Sequence, residues 1–174
     1  MKELILGGAR SGKSRLAEQL ATASGLKLIY IATATADDAE MRLRVAEHRR
    51  QRSDGWMVIE EPRALANVLR AHAAADCCVL VDCLTLWLSN LLCTDQEAVF
   101  ETERHAFMEL LPHLPGHTIL VSNETGLGVV PLGALTRRYA DEAGRLHQDI
   151  ARCCDRVIFT LAGLPLILKG NSLT

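Results

Sequence analysis

Short apolar runs alternate along this chain with longer segments in which apolar residues recur every three or four positions. The short runs are typical of strands buried in a sheet, and the longer periodicity is typical of amphipathic helices. Strands are predicted at residues 4–6, 27–33, 56–60, 77–81, 118–122 and 156–161, with a further short edge strand at 164–169. Helices are predicted at residues 13–24, 37–50, 62–72 and 131–151, besides an amphipathic segment at 96–111 and a segment at 84–92 that is apolar on nearly all sides.

This alternation of strands and helices predicts an α/β fold in three layers, with a mostly parallel sheet and helices on both faces. Ligands of such sheets bind at the carboxyl ends of the strands. By this rule, the ligand site is expected to be formed by the loops at residues 7–14, 32–36, 60–62, 82–85 and 122–128. No repeat, low-complexity segment or linker divides the 174 residues, so a single domain over residues 1–174 is expected.

Composition narrows the class of protein. The net charge of −2 gives the chain no overall attraction to nucleic acid or to an anionic membrane. No apolar run approaches the ~20 residues that span a bilayer, and no signal peptide precedes the first strand, so a cytoplasmic protein is expected. The six cysteines form two adjacent pairs and two singles. This is not a zinc-site spacing, and reduced, mostly buried thiols are expected.

The most informative motif is a phosphate-binding loop at residues 7–14, which fits the pattern G-x-x-x-x-G-K-[ST] between a strand and a helix. Its glycines let successive backbone N–H groups point at a polyphosphate, and the following helix adds its positive end. Lys13 supplies a point charge for the outer phosphates, and the Ser14 hydroxyl can ligate Mg²⁺. The sequence therefore predicts a P-loop NTPase fold, without identifying the group that receives the phosphate.

Asp82 follows the apolar run of the strand at 77–81. A carboxylate at the end of a buried strand beside a phosphate loop is where a Mg²⁺-organising acid is expected. The alternative is an N-cap for the segment that follows, and both roles are compatible.

Residues 40–52 carry five arginines around His48, and Met41, Val45, His48 and Arg52 fall on one helical stripe. A cationic neighbourhood keeps imidazole neutral and nucleophilic, so His48 could attack an α-phosphate and become nucleotidylated. On spacing alone, a packed or surface histidine is the more common case. The arginines could equally form a solvated face or a weak nucleic-acid patch.

Several stretches together resemble the bifunctional adenosylcobinamide kinase/adenosylcobinamide-phosphate guanylyltransferase family of cobalamin synthesis. The similar stretches are residues 6–15, 30–34, 38–56, 81–91, 121–131 and 139–148, so the resemblance covers nearly the whole chain. One departure is that the Arg-Pro usual after the family's histidine reads Arg52-Ser53 here.

The resemblance implies two reactions late in adenosylcobalamin (vitamin B12) synthesis. The hydroxyl of the aminopropanol arm of adenosylcobinamide is phosphorylated by ATP or GTP, and the product is then joined to GMP from GTP with release of pyrophosphate. The family also implies a RecA-like parallel sheet, Mg²⁺ with the nucleotide, and a homotrimer whose interface would explain the apolar segment 84–92.

The family's residue roles are carried over position by position. Its guanylylated histidine falls on His48, and Lys13 is the second catalytic residue. Ser14 and Asp82 are the expected Mg²⁺ ligands. The implied nucleotide-binding positions are Gly7, Gly8, Ala9, Arg10, Ser11, Gly12, Lys13, Ser14, Ala32, Thr33, Ala34, Arg49, Arg50, Gln51, Arg52, Glu60 and Asp82.

Three other functions are weighed against this one. A P-loop kinase for another small metabolite would need no essential histidine at 40–52 and would form no covalent nucleotide. A RecA-like switch would hydrolyse nucleotide without an acceptor. A nucleic-acid binder is disfavoured by the slightly acidic balance and the seven aromatic residues.

Overall fold

A computed structural model describes residues 1–35, 55–94 and 96–173 of the chain. Its helices are α1 (Lys13–Ala23), α2 (Leu65–His72), α3 (Leu84–Leu92), α4 (Glu97–Leu110) and α5 (Ala134–Cys153), with a 3₁₀ turn at Leu111–His113. Its strands are β1 (Lys2–Gly7), β2 (Lys27–Ala32), β3 (Trp56–Glu60), β4 (Cys77–Asp82), β5 (His117–Asn123), β6 (Arg156–Leu161) and β7 (Leu164–Lys169).

The described strands form one seven-stranded sheet in the order β3-β2-β4-β5-β1-β6-β7. All neighbouring pairs are parallel except β6 and β7, which are antiparallel. The predicted fold class and the predicted edge strand at 164–169 are therefore confirmed. The central position of β5, between β1 and β4, decides what surrounds the phosphate loop.

Alternation along each central strand divides the core between the two faces of the sheet, because successive side chains point to opposite sides. Leu4 and Leu6 of β1 belong to the cluster that packs against α2, α3, α4 and α5. Ile5, between them, belongs to the cluster that packs against α1. The described helices thus cover both faces, as the three-layer prediction requires.

Helix α3 is the apolar segment 84–92, and its apolar character has a cause inside this chain. Leu84, Trp87, Leu88 and Leu91 are all buried in the larger core cluster. Trp87 packs on Phe107 with ring centroids 5.2 Å apart, and its indole N–H donates to the carbonyl oxygen of Arg63. The expectation that a subunit interface explains this segment is wrong, because α3 is already covered by the protein's own helices.

Two helices begin three residues later than predicted. Helix α2 starts at Leu65 instead of 62, since the Glu61 carboxylate accepts the backbone N–H groups of Arg63 and Ala64 and holds them in a turn. Helix α5 starts at Ala134 instead of 131, after Gly133 in an extended conformation. The helix predicted at 37–50 lies outside the described residues.

Candidate nucleotide-binding site

The parallel register brings the predicted loops to one edge of the sheet. At the carboxyl end of the sheet, Glu60 pairs with Ala32, and Ala32 pairs in turn with Asp82. On the other side of β5, Asn123 pairs with Gly7. Residues that are up to 116 positions apart in the sequence, from Gly7 to Asn123, therefore end on the same edge.

The phosphate loop follows β1 and has a backbone that its glycines make possible. Gly7 has φ +152°, and a Cβ there would lie 2.3 Å from the carbonyl oxygen of Thr160 on β6. Gly12 has φ +97° and also packs against the β6–β7 turn, whose Gly163 donates its N–H to the carbonyl oxygen of Ser11 at 2.9 Å. Larger residues at either glycine would be strained, so this loop conformation depends on them.

The amino end of α1 is open to an anion. Its N-cap is Gly12, and no side chain caps the first turn. The free N–H groups and the helix dipole are the ordinary elements of a phosphate site. Ser14, in the same turn, is half-buried. The geometry supports the predicted phosphate-binding role of residues 7–14.

Lys13 lies inside the loop. Its side chain is 7 % exposed, and its Nζ donates to the carbonyl oxygen of Gly8 at 2.6 Å. Burial lowers the pKa of Lys13, and the nearby charge of Asp82 partly offsets this lowering. A buried ammonium whose neighbour is a carboxylate is suited to an incoming polyphosphate, which supplies more negative charge than the carbonyl it replaces.

Asp82 ends β4, and its Oδ2 atom is buried without a hydrogen-bond partner among the described residues. The alternative role as a helix cap is not supported, because the N-cap position of α3 is Cys83 and no side chain caps that helix. A buried, unpartnered carboxylate oxygen costs free energy unless something satisfies it. Asp82 therefore fits a divalent cation held by one carboxylate, one hydroxyl, phosphate oxygens and water.

The described residues contain no cluster of three or more His, Cys, Asp or Glu that could hold a metal by itself. Ser14 and Asp82 remain the predicted protein ligands.

Thr33 joins the ends of β2 and β4. Its Oγ1 donates to the carbonyl oxygen of Cys83 at 2.7 Å and accepts the N–H of Cys83 at 2.9 Å. The Asn90 side-chain amide from α3 donates to the carbonyl oxygens of Thr33 and Pro62. Thr33 is fully buried, so the structure gives it a role in positioning the turn after Asp82. Contact with nucleotide stays a prediction for Thr33, for half-buried Ala32 and Ala34, and for exposed Glu60.

Sequence reasoning missed a second polar chain on this edge. The Thr85 Oγ1 accepts the N–H of Asn123 at 2.7 Å and lies 3.4 Å from the Ser122 Oγ. The Ser122 Oγ is 2.8 Å from the Nε2 of His147, whose Nδ1 is 3.8 Å from the Glu124 carboxylate. The only sequence signal is the run Ser-Asn-Glu at the end of an otherwise apolar strand.

Burial disfavours the charged form of His147. It lowers the pKa of the imidazole, and the charge of Glu124 opposes this only in part. Helix α5 supplies His147 from its inner face, beside buried Ala143, Leu146 and Ile150.

The predicted nucleophile His48 and the predicted nucleotide contacts Arg49, Arg50, Gln51 and Arg52 lie outside the described residues. Their roles stay predictions.

The chain is similar to known proteins over nearly its whole length. Residues 3–168 match the family described as cobinamide kinase / cobinamide phosphate guanyltransferase. The chain is 64% identical over 173 residues to the bifunctional adenosylcobalamin biosynthesis protein CobP of Pseudomonas aeruginosa, covering 99% of this chain and 100% of that protein. It is 32% identical over 182 residues to the bifunctional adenosylcobalamin biosynthesis protein CobU of Escherichia coli, covering 97% of this chain and 100% of the relative.

A solved structure shares the fold at low identity. The crystal structure of flagellar accessory protein FlaH from Methanocaldococcus jannaschii superposes with a TM-score of 0.56 and 15% identity, covering 98% of this chain and 78% of that one. This likeness concerns the arrangement of strands and helices alone.

Proposed function

The chain belongs to the cobinamide kinase / cobinamide phosphate guanyltransferase family, and on this premise we propose that one site carries out both reactions of a bifunctional enzyme of adenosylcobalamin biosynthesis. The observation that carries the proposal is the phosphate loop with an uncapped helix end and a buried Lys13 near the charge of Asp82, in a chain whose residues 3–168 match the family. The substrates are adenosylcobinamide, its phosphate, and ATP or GTP.

The first reaction is phosphoryl transfer. The hydroxyl oxygen of the substrate's aminopropanol arm attacks the terminal phosphorus, and the bond from that phosphorus to the bridging oxygen breaks. The loop amides and Lys13 stabilise the charge on the migrating group and on the departing nucleoside diphosphate. Mg²⁺ bound to Ser14 and Asp82 would supply further neutralisation of the phosphate oxygens.

The second reaction is guanylyl transfer through His48. The neutral imidazole nitrogen attacks the α-phosphorus of GTP, the bond to the β-phosphate oxygen breaks, and pyrophosphate leaves while the imidazole proton passes to solvent. The substrate's phosphate oxygen then attacks the same phosphorus and releases His48. Arg49, Arg50 and Arg52 would hold the triphosphate during the first step. The support for this route is the resemblance around residue 48 together with the family match.

We further propose that the protein is a cytoplasmic homotrimer. Free cysteines support a reducing compartment. Exposed apolar side chains after β5, at Leu127, Val129, Val130 and Leu132, support a surface that another subunit covers. No described helix is both long and apolar enough to cross a membrane.

Product analysis with purified protein tests the function. Adenosylcobinamide and γ-labelled ATP are expected to give a labelled corrinoid phosphate, and unlabelled corrinoid phosphate with α-labelled GTP to give a labelled corrinoid nucleotide and unlabelled pyrophosphate. Lys13→Ala is the inactive control. Release of inorganic phosphate without a labelled corrinoid would favour a nucleotide-dependent switch instead, and a labelled corrinoid phosphate that never accepts GMP would favour a simple kinase.

A further inference from the structure

The polar chain of Thr85, Ser122, His147 and Glu124 has no part in the reactions above, yet its members are held in order. The Thr85 oxygen accepts the Asn123 N–H and lies 3.4 Å from the Ser122 hydroxyl oxygen. The Ser122 hydroxyl can then donate to the Nε2 of neutral His147, and the proton on Nδ1 faces Glu124. The contacts therefore lead from Thr85 through Ser122 and His147 to the Glu124 carboxylate.

The order of groups is hydroxyl, imidazole and carboxylate, but a nucleophilic serine is excluded. Ser122 is 1 % exposed, so its hydroxyl does not reach a substrate, and both ring nitrogens of His147 face other members of the polar chain. The Glu124 side chain is 20 % exposed, so it is the more accessible of the two titratable members of the polar chain.

Glu124 also lies at the part of the sheet edge where we expect the terminal phosphate of a bound nucleotide. Strand β5 is between β1, which carries the phosphate loop, and β4, which ends at Asp82. A nucleotide held by both therefore presents its terminal phosphate over the carboxyl end of β5. Glu124 follows that end directly, and its backbone N–H donates to the carbonyl oxygen of Gly7 at 3.0 Å.

The orientation of the carboxylate is fixed from two sides. Oε1 accepts the N–H of Gly126, and Oε2 faces the His147 ring. Two other acids of this edge already have roles: Asp82 is the predicted Mg²⁺ ligand near Lys13, and Glu61 holds the turn before α2.

Resting on the proposed kinase reaction, we propose that Glu124 is a catalytic residue that accepts the proton of the acceptor hydroxyl, and that Ser122 and His147 are positioning residues. As the substrate oxygen attacks the terminal phosphorus, its O–H bond breaks and the proton moves to the Glu124 carboxylate. The O–P bond forms, the bond to the bridging oxygen breaks, and its electron pair leaves on the nucleoside diphosphate. Glu124 returns the proton to solvent after product leaves.

The two reactions differ in their need for such a group. The hydroxyl of the first reaction must lose a proton, whereas the phosphate that attacks in the second reaction is already ionised. Proton acceptance by a positioned side chain contributes about 10²–10⁴-fold to rate. Substitution of Glu124 should therefore slow phosphorylation without slowing guanylyl transfer.

Glu124→Gln tests the proposal, because the amide keeps an oxygen for the Gly126 N–H. We expect the kcat for phosphorylation of adenosylcobinamide to fall about 10²-fold or more with little change in the KM for ATP. Guanylylation of purified corrinoid phosphate should keep its wild-type rate. Glu101→Gln, an exposed acid on α4, should change neither activity.

His147→Gln tests the positioning role. We expect a smaller loss of kcat for phosphorylation, and the double variant with Glu124→Gln should be no slower than Glu124→Gln alone, since His147 acts through Glu124. An additive loss would overturn this part.

Two results would overturn the catalytic role: wild-type phosphorylation by Glu124→Gln, or equal loss of both activities, which would make Glu124 a structural residue of its loop. Failure of the proposed function itself would be seen separately, in wild-type protein that phosphorylates no adenosylcobinamide.

Discussion

The Nζ of Lys13 donates a 2.6 Å hydrogen bond to the carbonyl oxygen of Gly8, so the lysine closes the phosphate loop upon itself. Nucleotide must replace this contact with phosphate oxygens. The exchange is favourable because an ionised acceptor binds an ammonium more strongly than a neutral carbonyl does. The loop is therefore preformed around Lys13, the side chain that is expected to bind the phosphates.

Lys13→Ala should abolish both reactions, with a loss of about 10³-fold or more, since it removes charge stabilisation at the migrating group. Circular dichroism and the unfolding midpoint should stay close to wild type, because the loop keeps its glycines and its contact with Gly163. Lys27→Ala is the matched control, as its ion pair with Asp76 is fully exposed and away from the loop. Wild-type turnover by Lys13→Ala, for either reaction, would show that the loop is not the working site.

Asp82→Asn should lower the rate of phosphorylation about 10²-fold, with partial recovery in excess Mg²⁺ or in Mn²⁺, because the substitution weakens metal organisation. It should change stability little, because the relief of the unpartnered Oδ2 atom is opposed by the loss of the charge that offsets the burial of Lys13. The measurement is the dependence of rate on metal concentration, alongside thermal unfolding. An unchanged Mg²⁺ dependence would remove Asp82 from the metal site.

Thr33→Val should destabilise the protein by about 1–3 kcal/mol, because the N–H of Cys83 loses its partner and the Cys83 carbonyl oxygen keeps only the N–H of Trp87, in a part-buried place. Thr22→Val is the control, since the Thr22 hydroxyl bonds only the carbonyl oxygen of Glu18 on an exposed helix face. Urea unfolding compares the two variants. Equal effects would mean that the Thr33 contact does not brace the ends of β2 and β4.

Acid should destabilise the protein in part through Glu3 on β1. Burial alone would raise the pKa of this carboxyl, but hydrogen bonds and charges from His117 and Arg156 outweigh burial and lower the pKa. The stabilisation is therefore present above the ~4.3 of an unfolded glutamate and is lost as the pH falls through the lower folded value. Glu3→Gln should flatten the pH dependence of unfolding below about pH 4. An unchanged slope would assign acid unfolding to other groups.

Local patterns predicted most of the fold. The apolar runs located every described strand, including the β7 edge, and the phosphate-loop motif identified the working edge of the sheet. The predicted start of α2, which took Pro62 as the first helical residue, was wrong because the Glu61 carboxylate accepts the backbone N–H groups that follow. A proline at this position does not reveal that contact. The apolar segment 84–92 gave no indication of which surface would cover it.

The rest depends on pairs that are distant in sequence. Thr33 meets Cys83 across 50 positions, and Ser122 meets His147 across 25. Sequence periodicity places each residue on its own element but does not show which polar groups meet between elements. The polar contacts that lead from Thr85 to Glu124 could therefore be found only from the folded structure.

The central claim is that one nucleotide site carries out both reactions and that only guanylyl transfer needs His48 as its nucleophile. The most direct test incubates wild type and His48→Ala with GTP labelled in the α-phosphate, denatures the protein, and measures the retained label. We expect wild type to keep an acid-labile, base-stable label, as a histidine phosphoramidate would. His48→Ala should keep none, while it still phosphorylates adenosylcobinamide from γ-labelled ATP at a reduced rate. Covalent GMP on His48→Ala, or equal loss of both activities in a folded variant, would contradict the account.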